Sequence, residues 1–573
     1  MRKPAGIWLL IGLFAACRPT PHYDTIIRHA AIYDGTGKPA FNGDLGIKND
    51  TIAAIGDLSA AKADQEIDAK GSALSPGFID MQSQSMVSLL QDGRSMGAIH
   101  QGVTLEIFGE GSSEGPYTDS MKTMEQRDQG DIKYNVTWTT LRDYLQTLQK
   151  KGVSTNVASF VGAATLRENL VGFDNRTPDS AQLEKMKTLT RQAMEDGALG
   201  IGSALIYAPG SYAKTPELIE VCKIAAPYGG SYISHVRSEG NQLLQAADEL
   251  IRIARDAHIP AIFYHLKAAG KNNWYKMDAL IAKIDSARKT GLDISACMYT
   301  YTAGATGFDA SMPTDVQEGG LDKWIARLKD PAIRTRVLAE MRDPSPTWEN
   351  LLQRAGPKGA LLLEFKNPAL KPLTGKTLDE VAAMRGVSPE EAAMQLVVED
   401  GSRVGTAYFL MSEDNVRREV ALPWVSFGSD ASAPAPEGVF LESNEHPRAY
   451  GNFVRVLAKY VRDENVITLQ EAIRKLSALP AQNLSLKDRG MLRKGYFADV
   501  VIFDPRTVQD HATYERPHQL STGVEEVWIN GIEALRNGNA TGNPSGRVVR
   551  GRAWTGYPGG GCRASSQQWT WSK

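Results

Sequence analysis

The chain is poor in cysteine and has no excess of charge of one sign. It has 4 cysteines in 573 residues, which are too few and too widely spread for a disulfide framework. Its 64 lysines and arginines nearly balance its 66 aspartates and glutamates, which leaves a net charge of −2. We therefore expect neither a nucleic-acid-binding surface nor a basic membrane-binding face. The length and the 42 % hydrophobic content indicate a globular protein larger than one ordinary domain.

The N-terminus lacks a run long enough to cross a membrane. The apolar run at residues 7–16 is shorter than the roughly 20 residues needed, and it fits a secretory signal peptide. Residues 13–17 resemble a bacterial lipobox, so we expect residues 1–16 to be a lipoprotein signal peptide and Cys17 to be lipidated. The alternative is an ordinary signal peptide with an incidental cysteine. Because Arg18 follows the cysteine, the expected location is the cell envelope, at the periplasmic face of the outer membrane if the host is Gram-negative.

Both ends of the remaining chain predict short β-strands. Residues 23–74 contain short apolar runs separated by Gly and Asp, and the runs at 498–503 and 524–531 have the same character. Neither end is large enough to bury both faces of a sheet alone. We therefore expect residues 17–74 and 486–573 to fold together into one small β-sandwich, which ends in a Gly-rich tail.

Residues 75–485 alternate between strand-like and helix-like patterns. Near-continuous apolar strands that alternate with amphipathic helices, such as residues 180–196, indicate a parallel sheet buried on both sides. The strand-like runs are residues 77–82, 103–109, 156–161, 199–207, 231–235, 261–265, 294–302 and 424–429. Eight such units predict the α/β class and a (β/α)₈ TIM-like barrel. Residues of about 308–420 are too many for one connection, so they predict an inserted subdomain before the last strand.

Rare metal-ligating side chains fall at the ends of the predicted strands. Glu110 ends the second strand, His235 the fifth, His265 the sixth and Asp430 the eighth. In a barrel all four point into one mouth. Two imidazoles and one carboxylate match a catalytic zinc shell with a position open for water, and the second carboxylate would then be the base. A lone histidine at a strand end is more often structural, but four convergent side chains favour a site.

Several segments together resemble the N-acyl-D-amino-acid deacylase (D-aminoacylase) family of the amidohydrolase superfamily. They are residues 76–80, 234–239, 264–267, 299–303, 428–430, 446–448 and 488–499, and the resemblance covers nearly everything after the signal peptide. The resemblance implies a zinc ion held by Glu110, His235 and His265. It also implies that Asp430 is the catalytic base.

The chain departs from this family at the start of the barrel. The family normally has His-x-His where this chain has Gln82 and Gln84, so the second, weaker metal position is replaced and one Zn²⁺ per chain is expected. Glu110 stands where many members have a cysteine, and Ala305 where a substrate-binding serine is found. These departures concern the substrate and the metal count rather than the fold.

Substrate contacts also follow from the resemblance. It places Lys267, Tyr299 and Arg448 against the substrate carboxylate. Lys267 could instead be a solvated charge and Arg448 part of a structural salt bridge. Tyr207 either contacts the acyl carbonyl or belongs to a turn packed on the mouth.

The activity that the resemblance implies is hydrolysis of a small-molecule N-acyl amino acid, of the D series, to a carboxylic acid and a free amino acid. One alternative is a cyclic-amide or carbamoyl hydrolase on the same scaffold. Another, motivated by the missing His-x-His, is a catalytically dead lipoprotein that binds acylated ligands. A membrane is expected to be contacted only through the lipid anchor, and the sequence makes no prediction of the oligomeric state.

Overall fold

The computed structural model describes residues 21–344 and 346–554. The predicted signal peptide, the predicted lipidation site Cys17 and the end of the Gly-rich tail lie outside the described residues. Among those that are described, no helix is both long enough and apolar enough to cross a membrane.

The described chain alternates strands and helices. The strands are β1 (His22–Ile32), β2 (Phe41–Lys48), β3 (Thr51–Gly56), β4 (Lys62–Asp68), β5 (Ala73–Pro76), β6 (Phe78–Asp80), β7 (Val103–Phe108), β8 (Asn156–Ser159), β9 (Val161–Gly162), β10 (Gly200–Ala204), β11 (Ser231–His235), β12 (Ala261–Phe263), β13 (Ile294–Met298), β14 (Ala303–Thr306), β15 (Ala360–Glu364), β16 (Gly405–Phe409), β17 (Val425–Phe427), β18 (Val500–Phe503), β19 (Val524–Ile529), β20 (Ile532–Arg536) and β21 (Asn539–Ala540).

The α-helices are α1 (Ser88–Gln91), α2 (Met96–Ile99), α3 (Asp119–Asp128), α4 (Leu141–Lys151), α5 (Ala163–Val171), α6 (Ser180–Asp196), α7 (Thr215–Ala225), α8 (Leu243–Ala257), α9 (Met277–Lys289), α10 (Leu321–Lys329), α11 (Pro331–Met341), α12 (Leu351–Ala355), α13 (Leu378–Arg385), α14 (Pro389–Asp400), α15 (Glu413–Ala421), α16 (Arg448–Arg455), α17 (Leu469–Leu476) and α18 (Ala478–Asn483).

Parallel strands form the centre of the molecule in two hydrogen-bonded sets. One set has the order β6-β7-β8, and the other has the order β9-β10-β11-β12-β13-β17. β8 and β9 are two pieces of the third strand, interrupted at Phe160. Phe160 N–H donates to Phe108 O at 2.9 Å, and Leu199 N–H donates to Ser159 O at 2.9 Å, so the third strand is held on both sides.

Backbone hydrogen bonds also join the last strand to the first. Met81 N–H donates to Phe427 O at 3.2 Å, and Asp430 N–H donates to Gln82 O at 2.7 Å. The ring of eight strands is thereby continuous, and the predicted (β/α)₈ barrel is confirmed. Its interior is filled by buried side chains that include Ile79, Leu105, Ile107, Ile233, Ile262 and Cys297. The carboxyl ends of the parallel strands meet at one mouth.

Strands from the two chain ends pair in a single nine-stranded sheet. β18 pairs antiparallel with β5, with Val501 opposite Ser75, and β5 runs parallel to β1. One apolar core lies beneath both parts and contains Ile27, Leu45, Leu74, Val500, Ile502 and Trp528. The expectation that the two ends fold together is confirmed, because each supplies strands and core that the other lacks.

An additional unit lies between β13 and β17, in the region predicted as an insertion. β14, β16 and β15 form a small antiparallel sheet in that order, and α12 and α13 contact it. The sheet includes β14, which precedes the predicted start at about residue 308. β14 belongs to this unit because Ala303 pairs with Phe409 and Thr306 with Thr406.

The helix predicted at residues 180–196 is α6. It begins after Asp179, whose carboxylate accepts from Gln182 N–H at 2.8 Å, while the Gln182 side chain accepts from Asp179 N–H. This reciprocal capping satisfies backbone donors that the first turn would otherwise leave unpaired. The helix ends at Gly197, which has φ +104.

Candidate active site

Three potential metal ligands meet at the mouth of the barrel. Glu110 follows β7, His235 ends β11 and His265 lies two residues beyond β12. Glu110 Oε1 is 3.1 Å from His265 Nε2 and 3.3 Å from His235 Nδ1. The two imidazole rings are edge to face, with their centroids 4.5 Å apart. One ligand atom from each residue lies within 4.8 Å of the other two.

These three side chains fit a zinc ion. His235 is 4 % exposed, and both of its ring nitrogens are buried without a hydrogen-bond partner. Buried polar atoms are normally paired, so an unpaired imidazole that faces a carboxylate and a second imidazole has the character of a metal ligand. Two imidazoles and one carboxylate leave the fourth tetrahedral position open, as catalytic zinc sites require.

The protonation states within this trio depend on one another, and His265 would release its proton when a metal binds. Burial alone would raise the pKa of Glu110, but His265 and His235 lower it well below the ordinary value of a glutamate. Burial and Lys267 act to lower the pKa of His265, but Glu239 and Glu110 outweigh them and raise it to about 9. Glu110 is therefore held as a carboxylate, which is the form that binds a metal.

Glu239 and Lys267 lie directly behind His265. Glu239 Oε1 is 3.0 Å from His265 Nδ1, and Lys267 Nζ is 2.7 Å from the same oxygen and 2.6 Å from His265 Nδ1. A carboxylate on the far nitrogen of a metal-ligating histidine fixes the orientation of the ring. The network is buried, and Lys267 also lines the cavity.

Asp430 lies on the opposite side of the mouth, three residues beyond β17. Its Oδ2 is 2.8 Å from Arg448 Nη1, and its Oδ1 is 3.1 Å from Gln82 Nε2. Burial raises the pKa of Asp430 above the ordinary value, Glu110 raises it further, and Arg448 offsets part of the effect. A carboxyl group with a raised pKa at a barrel mouth suits a general base.

Two of the converging residues have a left-handed backbone. His265 has φ +30 and Asp430 has φ +50. Residues other than glycine adopt this left-handed region at a cost of about 1–3 kcal/mol. Such strain concentrates at functional sites, where the surrounding structure holds the side chain in one direction.

Gln82 and Gln84 occupy the space between the two carboxylates. Gln82 Nε2 is 2.6 Å and Gln84 Nε2 is 2.7 Å from Glu110 Oε2. Both nitrogens also lie within 3.5 Å of Asp430 Oδ1. The two amides thus link the metal-ligand trio to the candidate base.

The residues predicted to bind the substrate carboxylate form a cluster beside Asp430. The Arg448 guanidinium carbon lies 4.5 Å from the centre of the Tyr299 ring, and Lys267 Nζ lies 5.4 Å from it. The Tyr299 hydroxyl and Arg448 Nε are buried without hydrogen-bond partners. The two cations Arg448 and Lys267, together with the unpaired Tyr299 hydroxyl, are suited to bind a carboxylate.

Tyr207 lines the same cavity beside the metal ligands. Its ring centroid is 5.5 Å from that of His235, and the Arg403 guanidinium lies 5.1 Å from its face. The cavity has a volume of about 790 Å³ and reaches from the trio to the inserted unit, which contributes Trp324 and Arg403. Ala305 lies on its wall as well.

Some of these contacts could not be expected from the sequence. Arg403, whose Nε is 2.8 Å from Asp309 Oδ2, and Trp324 belong to the inserted unit, where no strand-end position marks them. Glu239 is different, because its position in the sequence gives a signal. It follows His235 by four residues, on the loop after the fifth strand, and this predicts a carboxylate near the metal ligands.

Comparison with known proteins is consistent with this geometry. A model described as "Amidohydrolase family" matches residues 65–533. D-aminoacylase from Alcaligenes xylosoxydans xylosoxydans is 32 % identical over 530 residues, which covers 92 % of this chain and 97 % of the relative.

Two solved structures have nearly the same fold. A D-aminoacylase structure concerned with one-metal activation and second-metal attenuation in a binuclear centre has a TM-score of 0.77 at 31 % identity. N-acyl-D-glutamate deacylase from Bordetella bronchiseptica, complexed with zinc and a phosphonate mimic of the tetrahedral intermediate, has a TM-score of 0.76 at 28 % identity. Each alignment covers 92 % of this chain and 100 % of the other.

The family match spans most of the chain, and the alignments leave neither the barrel nor the terminal β-domain outside them. The chain therefore belongs to the amidohydrolase family, in its D-aminoacylase branch, and is an enzyme that acts on carbon–nitrogen bonds other than peptide bonds.

Proposed function

We propose that this enzyme hydrolyses the amide bond of N-acyl-D-amino acids with one zinc ion per chain, releasing a carboxylic acid and a free amino acid. The observation that carries the proposal is the content of one cavity. It contains a metal-ligand trio, a carboxylate with a raised pKa and a cluster suited to a substrate carboxylate.

Glu110, His235 and His265 would hold the zinc ion. When bound, zinc supplies Lewis acidity, which polarises a carbonyl group and makes a water molecule more acidic. Glu239 would orient His265 from behind through its 3.0 Å contact with Nδ1.

Asp430 moves the proton in this mechanism. Its carboxylate accepts a proton from the attacking water as the water oxygen bonds to the amide carbon. It then donates that proton to the nitrogen as the carbon–nitrogen bond breaks. The raised pKa of Asp430 serves the first step, because a carboxylate with a raised pKa is a stronger base than an ordinary aspartate.

Arg448, Lys267 and Tyr299 bind and orient the substrate. A guanidinium can hold a carboxylate by two parallel hydrogen bonds, which fixes direction as well as position. Since Arg448 also contacts Asp430 at 2.8 Å, the bound amino acid would lie with its nitrogen near the base. Tyr207, beside His235, would contact the acyl side of the amide.

A panel of substrates tests this proposal. Purified zinc-loaded enzyme is assayed on matched D and L forms of N-acetyl amino acids with neutral and acidic side chains. Hydrolysis of the D forms, with little hydrolysis of the L forms, is the expected result. Hydrolysis of hydantoins or dihydropyrimidines instead would favour a cyclic-amide hydrolase, and tight binding of acylated ligands without turnover would favour a dead binding protein.

We also propose that the enzyme is exported and anchored in the cell envelope by a lipid on Cys17. The support is the short apolar run and the lipobox-like segment before that cysteine. Labelling of expressing cells with a radioactive fatty acid, followed by fractionation, tests it. The native chain should carry label in the membrane fraction and Cys17→Ala should not; label in both would contradict the assignment.

A further inference from the structure

The two glutamines on the first barrel strand make an unusual set of hydrogen bonds. Gln82 is 1 % exposed, and its Nε2 lies 2.6 Å from Glu110 Oε2 and 3.1 Å from Asp430 Oδ1. A carboxylate only accepts hydrogen bonds, so the amide nitrogen rather than the amide oxygen must face both. Because one NH₂ group has two hydrogens, Gln82 can donate one to each carboxylate.

A third neighbour fixes the same orientation independently. Gln82 Oε1 lies 3.6 Å from Cys297 Sγ, whose thiol is a weak donor. Turning the amide over would place its oxygen against two carboxylates and leave its nitrogen facing the thiol. The orientation with Nε2 toward the acids is therefore the only one that pairs every group.

Gln84 reinforces the arrangement. Its Nε2 is 2.7 Å from Glu110 Oε2, the oxygen that Gln82 also contacts, and 3.5 Å from Asp430 Oδ1. The oxygens of the two acids are thus divided by role. Glu110 Oε1 faces the histidines and Asp430 Oδ2 faces Arg448, while Glu110 Oε2 and Asp430 Oδ1 face the amides.

Two buried carboxylates that approach each other repel, and each amide hydrogen carries a partial positive charge between them. In enzymes with two metal ions, a second cation can supply positive charge at such a place. Here the carboxylates face the partial positive charges of amide hydrogens that belong to the chain itself and cannot dissociate. Charge-assisted hydrogen bonds of this length are roughly twice as strong as neutral ones.

We infer that Gln82 and Gln84 are positioning residues that take the place of a second metal ion. They bridge Glu110 and Asp430, hold the base at a fixed distance from the single zinc site, and leave no ligand set for another cation. The enzyme is thereby fixed in a one-metal form that excess zinc does not alter. This inference rests on the proposed one-zinc hydrolase.

Two paired variants test the inference. Gln82→Met/Gln84→Met keeps the side-chain length but removes the donors, and Gln82→His/Gln84→His supplies two imidazoles at the same positions. The control is Gln182→Met on α6, which loses a capping hydrogen bond outside the barrel mouth. Each protein is titrated with zinc, and bound zinc, kcat, KM and Tm are measured.

For the methionine pair we expect about one zinc per chain and a kcat reduced about 10- to 100-fold, as for other residues that orient metal ligands. KM should change little, because Arg448, Lys267 and Tyr299 are untouched. For the histidine pair we expect about two zinc ions per chain and a rate that now varies with added zinc. The native enzyme and Gln182→Met should stay at about one zinc with a rate independent of excess zinc.

A methionine pair with native kcat would overturn the inference, as would a histidine pair that still binds a single zinc. If the buried methionine pair does not fold, Gln84→Met alone, at the less buried of the two positions, gives the same readout. The proposed function fails separately. Native enzyme that binds one zinc but hydrolyses no N-acyl amino acid would refute the activity, while the zinc titrations would still decide the role of the amides.

Discussion

The two sides of the barrel mouth surround their carboxylates differently. On the side of β7, β11 and β12, Glu110 Oε1 faces ring nitrogens of His235 and His265, while Gln82 and Gln84 donate only to the other oxygen, Glu110 Oε2. On the side of β6 and β17, Asp430 is already surrounded by donors from Gln82, Gln84 and Arg448. The first side therefore offers three converging ligand atoms to a cation, whereas the oxygens of Asp430 already face donors of the chain.

The difference teaches that buried carboxylates at one barrel mouth can be stabilised in two ways. One uses a bound metal ion, and the other uses hydrogen-bond donors of the chain. On the one-zinc proposal, a few side-chain identities at strand-end positions set this arrangement, since the fold is shared with a D-aminoacylase structure described by its binuclear metal centre. In the proposed mechanism the first side supplies the electrophile, and the second side supplies a base whose position is set by the chain.

The largest effect should come from removing the base. Asp430→Asn keeps the shape and one acceptor but cannot take a proton, so we expect kcat to fall about a hundred- to ten-thousandfold. Zinc content should not change, because the trio lies on the other side of the mouth. Asp504→Asn in the terminal β-domain is the control and should behave as the native enzyme. Loss of zinc in Asp430→Asn would show that both sides bind metal and would remove the contrast.

The next effect concerns the substrate carboxylate. The Tyr299 hydroxyl is buried without a partner, so Tyr299→Phe removes a group that only the substrate would use. We expect KM to rise about tenfold or more, from a lost hydrogen bond to a charged group, while kcat and Tm change little. In the control Tyr232→Phe, which loses a 2.7 Å contact with Ser203 Oγ, Tm should fall and KM should not change. The reverse pattern would mean that Tyr299 is structural.

The pH dependence of kcat/KM should reveal the buried base. In the proposed mechanism Asp430 acts in its ionised form, and burial together with Glu110 raises its pKa by more than Arg448 lowers it. Activity is therefore present above the raised pKa and is lost as the pH falls through it. We expect the acidic limb to lie above pH 4, the ordinary range of an aspartate. A profile that stays flat down to pH 4, with zinc still bound, would contradict this assignment.

The smallest effect should come from the thiol beneath the amides. Cys297 Sγ faces Gln82 Oε1 at 3.6 Å, so Cys297→Ala removes the contact that holds the amide from the opposite end. We expect kcat to fall about two- to threefold, in keeping with a weak donor. Cys297→Ser, which keeps a donor, should recover most of the loss. Equal rates in both variants would show that the two carboxylates alone orient Gln82.

Much of the fold could be predicted from the sequence. Buried parallel strands are near-continuous apolar runs, so all eight barrel strands were visible, and the capped helix α6 was visible from its periodicity. The interruption of the third strand at Phe160 was not, because it depends on where β8 pairs with β7 and where β9 pairs with β10. No local pattern encodes such long-range pairing.

The site was predictable to the extent that strand ends determine it. Glu110, His235, His265 and Asp430 are rare side chains at the ends of recognisable strands, and the topology brings them together. The bridge made by Gln82 and Gln84 was not predictable, since the direction of an amide depends on atoms contributed by four different strands. The same holds for Arg403 and Trp324, which come from the inserted unit.

The central claim is that a single metal lies on one side of the mouth. Its most direct test is elemental analysis of the protein purified without its first 17 residues, in native form and as Glu110→Ala. The account predicts about one zinc per native chain and almost none in the variant, since Glu110 supplies one of three ligands. A native protein that takes up no zinc when zinc is offered, or a variant that keeps its zinc, would contradict it.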